Sequence, residues 1–187
     1  YKDFVRAGAA LDLDQQERLK ALNAEIAVLE TEFRQNILSE VNDLAIVVDS
    51  REELAGLSES RIDVASEEAA ESGLEGQFVI PLLNTSGQPT LAYLQNRDLR
   101  ERIHKASLSR GHRGGEFDNR GVLSAVLEKR ATRANLLGYA NHAEYILENQ
   151  TALTVEAVNE RLSQLASSAL TNVLEELASL QDIRTYD

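Results

Sequence analysis

The chain has no cysteine, no methionine and no tryptophan, and only two prolines, while aromatic residues make up 5% of its 187 positions. Without cysteine there is no disulfide and no thiolate ligand, which excludes thiol catalysis and the sulfur-ligated zinc folds but leaves the redox compartment open. No apolar run approaches the roughly 18 to 20 residues that a membrane-crossing helix needs, so the sequence reads as soluble, with no membrane partner. Basic residues are also scarce. Nineteen Lys and Arg stand against 31 Asp and Glu, a formal charge of -12, and phosphate binding depends on clustered cations that displace counterions. A nucleic-acid partner is therefore not expected. The start at Tyr1 lacks an initiator Met and the basic, apolar, small-residue order of a signal peptide, and Asp187 follows a strongly helical stretch with no cap. The expectation is a single helical segment, 1–187, that belongs to a longer protein.

What the sequence does have is helical periodicity. From about Asp14 to Val41, the residues Leu19, Leu22, Ile26, Leu29, Phe33, Ile37 and Val41 recur every three or four positions, one apolar stripe on a long helix. Asp14 and Glu17 have capping-box spacing at its start. A coiled-coil dimer is the alternative to packing within the chain, but Asn36 interrupts the spacing after about two and a half heptads. Ala45 to Val48 is short and β-branched and reads as a brief strand or an extended link. Asp49-Ser50 is placed to cap a helical Arg51–Leu57, and Ser58 to cap a helix carrying Ile62, Ala65 and Ala69 that stops at Gly73.

Gly76 to Leu83 reads as a second strand, able to pair with the first. Pro89 to Leu94 is a short helix with proline in its first turn, and Asn96 starts another through Leu99, Ile103 and Leu108. Arg110 to Glu116 is the clearest loop. A helix from about Asp118 to Leu137 stops at Gly138, Asn141 and Glu144 repeat the capping-box spacing, and Thr154 caps a last helix carrying Val158, Leu162, Leu165, Ala169, Val173, Leu177 and Leu180. The fold class is mainly α, multi-helical, with one or two short β strands.

Three ordered stretches carry a resemblance. The first joins Leu11–Phe33 to Val47-Val48-Asp49 and Glu53–Ser58. The second runs from Gly73-Leu74-Glu75-Gly76 through Pro81-Leu82-Leu83-Asn84-Thr85 to Pro89, then Asp98–Arg102. The third is Lys129-Arg130-Ala131 with Asn135-Leu136-Leu137-Gly138-Tyr139 through Tyr145, then Leu147–Gln150. Together they cover nearly the whole chain, which resembles the helical N-terminal region of the zinc oligopeptidases related to thimet oligopeptidase and oligopeptidase A, most of all the bacterial peptidyl-dipeptidases. The resemblance implies a large helical enzyme with a deep channel in the bacterial cytoplasm. It would cut short peptides with a zinc-activated water held by a His-Glu-x-x-His helix and a further Glu. That motif is not in this sequence. Zinc and peptide substrates are thus implied for the longer protein, with none of its catalytic residues carried by this chain.

Glu101 and His104 have the i, i+3 spacing of carboxylate-bridged di-iron bundles, which need a second copy that the sequence lacks. His112, between Arg110 and Arg113 in the glycine-rich loop, allows an anion site or a solvated loop. His142 falls in a first helical turn and reads as structural. Gly111, Gly114 and Gly115 lack the Lys-Ser or Lys-Thr ending of a phosphate loop, and no Gly-x-Ser-x-Gly elbow occurs. The pairs Glu52-Glu53, Glu67-Glu68 and Glu175-Glu176 read as solvated helix faces, and Tyr93, Tyr139 and Tyr145 as half-buried core residues rather than channel lining. No catalytic, cofactor-binding or metal residue is assigned. The expected function is a channel-wall portion of a peptidase, not catalytic by itself and able to self-associate in isolation; the alternative is a non-catalytic helical interaction module.

Overall fold

A computed structural model describes residues 1–83 and 87–184. It is helical almost throughout, as the periodicity requires. In chain order the elements are α1 (Lys2–Arg6), α2 (Leu13–Asp43), β1 (Ile46–Val48), α3 (Glu59–Glu71), β2 (Phe78–Ile80), α4 (Arg97–Leu108), α5 (Arg120–Leu136), α6 (His142–Leu147) and α7 (Val155–Arg184). Single 3₁₀ turns occupy Arg51–Leu54 and Pro89–Ala92. The chain divides into two compact units, one of residues 1–22 and 130–187, the other of residues 23–129.

In the second unit the stripe of α2 is turned inward: Ile26 is buried and Leu29, Phe33, Ile37 and Val41 are half-buried, whereas Val28 and Leu38, off the stripe, are exposed. Asn36, where the heptad spacing breaks, donates to the Asn119 Oδ1 at 3.0 Å, and Asn119 donates to the Phe33 carbonyl at 3.0 Å. The break in the apolar pattern is therefore a polar lock on the start of α5. A Lys129–Glu25 ion pair at 2.5 Å ties the same two helices further along.

The strands pair antiparallel, with Ile46 opposite Ile80 and Val48 opposite Phe78, as expected. With them Leu44, Val48, Leu54, Ile62, Ile80, Leu82, Leu94, Leu99 and Ile103 form one apolar core, drawn from both strands, α3, α4 and the segments that connect these elements. Burying such side chains contributes about 1.5–3 kcal/mol each relative to exposure. The sheet is regular only over three residues per strand, shorter than the Gly76–Leu83 run read from the sequence. Asn84, Thr85 and Ser86, which follow that run, lie outside the described residues.

Helix ends follow the sequence signals with three corrections. Asn96 accepts from the Leu99 N–H at 3.1 Å, Asn141 from Glu144 N–H at 2.9 Å, and Thr154 Oγ1 from Ala157 N–H at 3.1 Å, all as expected. Both glycine stops are Schellman motifs: Leu74 N–H returns to Ala69 and Gly73 to Ala70, and Tyr139 N–H returns to Ala134 and Gly138 to Asn135. The capping box of α2, however, is Asp12 with Gln15, not Asp14 with Glu17: the Gln15 N–H donates to Asp12 at 2.8 Å and the Asp12 N–H to Gln15 at 3.2 Å. Leu13 can take the first helical position because an Asp-x-x-Gln box works like the Ser/Thr form. Ser50 and Ser58 occupy cap positions, but neither side chain closes a cap hydrogen bond. The Asp49 carboxylate instead accepts from the Gln77 side chain, at 2.5 Å, and the segment after Ser50 closes only one short 3₁₀ turn.

Candidate functional site

Within the unit of residues 23–129, the most polar buried position is Glu40, 1% exposed on the inward face of α2. A buried carboxylate is costly unless it is paired and hydrogen-bonded. Glu40 accepts from the Gly111 N–H and from Arg113 Nε, the latter at 2.9 Å, while Arg113 Nη2 donates to Asp43 at 2.6 Å. Arg110 Nη2 donates to the Leu83 carbonyl at 2.7 Å. The two arginines of the glycine-rich loop thus pin it to α2 and to the chain after β2, and the anion-site reading of that loop finds no support. His112, exposed, lies 3.3 Å from the Arg110 carbonyl through its Nδ1.

Glu101 pairs with Lys105 one turn along α4, and that hydrogen bond holds its carboxyl below the usual range. With His104 exposed beside it, the pair is a solvent-facing helix surface. Asp118 is held well below the ordinary carboxylate range, first by the Arg120 side chain, then by the Arg120 and Gly114 N–H groups. It fixes the turn that launches α5.

In the unit of residues 1–22 and 130–187, α1 is anchored through Arg6. Its guanidinium pairs with Glu148, donates to the Tyr145 carbonyl at 2.6 Å, and lies 4.8 Å from the Tyr145 ring centre and 5.8 Å from that of Tyr139. The two rings meet edge to face at 5.2 Å, and the Tyr139 hydroxyl donates to Glu148. That bond and the Arg6 pair lower the Glu148 pKa, and the same bond raises that of Tyr139. Tyr139 and Tyr145 are half-buried, as read from the sequence; Tyr93 is 55% exposed and is not a core residue, its ring serving as a platform for Arg61 at 4.7 Å. His142 opens α6, 6.2 Å from the Tyr145 ring.

Sequence reasoning missed Glu40 and Arg6. The signal for Glu40 was available, since it sits three residues after Ile37 and four before Leu44, in phase with the apolar stripe. No local pattern marks Arg6, whose partners are more than 130 positions away.

A large surface feature of this unit is α7. It carries no buried residue, and Leu162, Leu165, Leu170, Val173, Leu174, Leu177, Leu180 and Ile183 are each more than half exposed. By its periodicity α7 is an amphipathic helix, yet in this chain its apolar side meets solvent. Among the described residues no group of three His, Asp or Glu is arranged to hold a metal, and His104, His112 and His142 stand on separate elements. The donors present do not fit zinc.

A comparison with family models matches residues 90–186 to peptidase family M3. The chain belongs to that family. Over 183 residues it is 38% identical to the dipeptidyl carboxypeptidase of Salmonella typhimurium and 36% identical to that of Escherichia coli, in each case 98% of this chain and 27% of the relative. It is 30% identical over 186 residues to a probable cytosolic oligopeptidase A of Arabidopsis thaliana, 96% of this chain and 26% of that protein. The chain spans about a quarter of the length of these relatives. The resemblance read from the three ordered stretches, and the mainly α class, both hold.

Proposed function

We propose that this chain is the helical, non-catalytic wall of a longer M3 peptidase that hydrolyses short peptides with zinc. The observation that carries the reading is the exposed stripe of α7 in a chain that aligns along almost its whole length with a quarter of a dipeptidyl carboxypeptidase. Eight large apolar side chains in contact with water are unfavourable by roughly 25 cal/mol per Å² of apolar surface, so the stripe is built to be covered. The remainder of the peptidase supplies that cover in this reading. Its role is architectural: helices of this kind restrict a channel sterically and orient an extended peptide, which lowers the entropic cost of reaching the reactive geometry. Zinc, when bound elsewhere in the parent, would polarise the scissile carbonyl and activate water. Among the described residues no His, Asp or Glu cluster is arranged to hold a metal, and the compartment proposed for the parent is the cytoplasm.

The test is to translate the source gene downstream of the codon for Asp187. A frame that runs on into His-Glu-x-x-His followed by a further Glu supports the reading, and the isolated chain should then show no stoichiometric zinc by metal analysis and no cleavage of short peptides. One tightly held zinc per chain, or a stop codon within a few tens of residues, would overturn it.

A further inference from the structure

A second feature of the unit of residues 23–129 is a hollow of about 310 Å³ between α3 and the chain on either side of the β2 end. Its walls are Leu57, Val64, Ala65, Val79, Pro81 and Leu83. Ala65 and Val79 form a buried floor, but Val64 is 53% and Leu83 47% exposed, so the apolar lining faces outward. At the rim stands Arg61. Its guanidinium is stacked on the Tyr93 ring and enters no ion pair with any described residue. Of the other polar lining residues, Gln88 and Thr90, Gln88 is committed internally: it exchanges two hydrogen bonds with Leu83 and donates to Ser107.

The hollow therefore combines an apolar lining, sized at the lower end of small-molecule sites, with one cation that a neighbouring ring holds in place. A ligand that fits both has a compact apolar body, such as a phenyl group on a short tether, and one negative charge at its end. A planar carboxylate suits the planar guanidinium fork, which donates two parallel hydrogen bonds. We propose that this hollow binds a small monocarboxylate, with the apolar body against Val64, Val79 and Leu83 and the carboxylate on Arg61. The proposal is independent of the peptidase reading.

The test titrates 4-phenylbutyrate into the ¹⁵N-labelled full chain while the amide signals of Val64, Ala65 and Val79 are followed, with 4-phenylbutyramide as the neutral control. Saturable shifts confined to these residues, with binding at least fivefold weaker for the amide, support the proposal. Arg61→Met should weaken binding of the acid at least fivefold and leave that of the amide unchanged, whereas Arg61→Lys should retain part of the preference for the acid. Arg61 is exposed, and an unaltered circular dichroism spectrum checks that each variant is folded. Shifts that do not saturate, shifts scattered over the surface, or equal binding of acid and amide would each overturn it.

Discussion

Gly56 shows how closely single residues are constrained. It has φ +97°, and a Cβ there would sit 2.0 Å from the Tyr93 carbonyl oxygen, in a stretch where the Gln95 N–H donates to the Ala55 carbonyl at 2.8 Å. Both the backbone conformation and the close approach demand glycine. Gly56→Ala should destabilise the chain by about 3 kcal/mol, combining left-handed strain with a forced backbone shift; a urea midpoint within error of the parent's would contradict this.

Residue-scale electrostatics predict an acid limb. Asp118 and Glu148 both have folded pKa values below their unfolded ones. The stability they contribute is present above the unfolded values, near 4, and is lost as pH falls through the folded values. Asp118→Asn should therefore lower stability at pH 7 and flatten its decline below about pH 4, with little difference from the parent at the acid end. Thermal melts across that range check the sign, and an acid limb as steep as the parent's would sink the assignment.

At the scale of elements, the loop after α4 is held by a helix more than 60 positions earlier. Glu40 receives both the Gly111 N–H and the Arg113 side chain. Glu40→Ala removes both acceptors and leaves the N–H unsatisfied in a buried place, so a loss of roughly 3 kcal/mol is expected. Hydrogen exchange at Gly111 should accelerate with it, whereas the Schellman end of α3 should exchange as before. The strands were legible because β-branched runs are short and flanked by polar turn residues. The Asp14–Glu17 box was misplaced because Asp12-x-x-Gln15 and Asp14-x-x-Glu17 overlap, and spacing alone does not say which residue leaves the helical conformation first.

For the whole molecule, the decisive surface is α7. Isolated chains should associate through its stripe, giving a sedimentation coefficient that rises with protein concentration. Leu170→Glu with Leu177→Glu, at positions 60% and 57% exposed, should abolish that rise while leaving the melting temperature nearly unchanged, because neither side chain is packed within the chain. A chain that sediments as a monomer at every concentration would argue against an interface role for the stripe.

The sequence by itself determined the helical class, the inward stripe of α2, the strand pair, most helix ends and the family, because these depend on periodicity, local capping and ordered motifs. Tertiary structure alone decided which charges are spent on packing and which apolar face stays uncovered. Arg6, Glu40 and Arg113 find their partners 70 to 142 positions away, a distance over which local pattern carries no information. The stripes of α2 and α7 obey the same spacing rule, yet one is buried and the other exposed. Periodicity states that a helix has an apolar face; only the arrangement of the other elements states whether anything covers it.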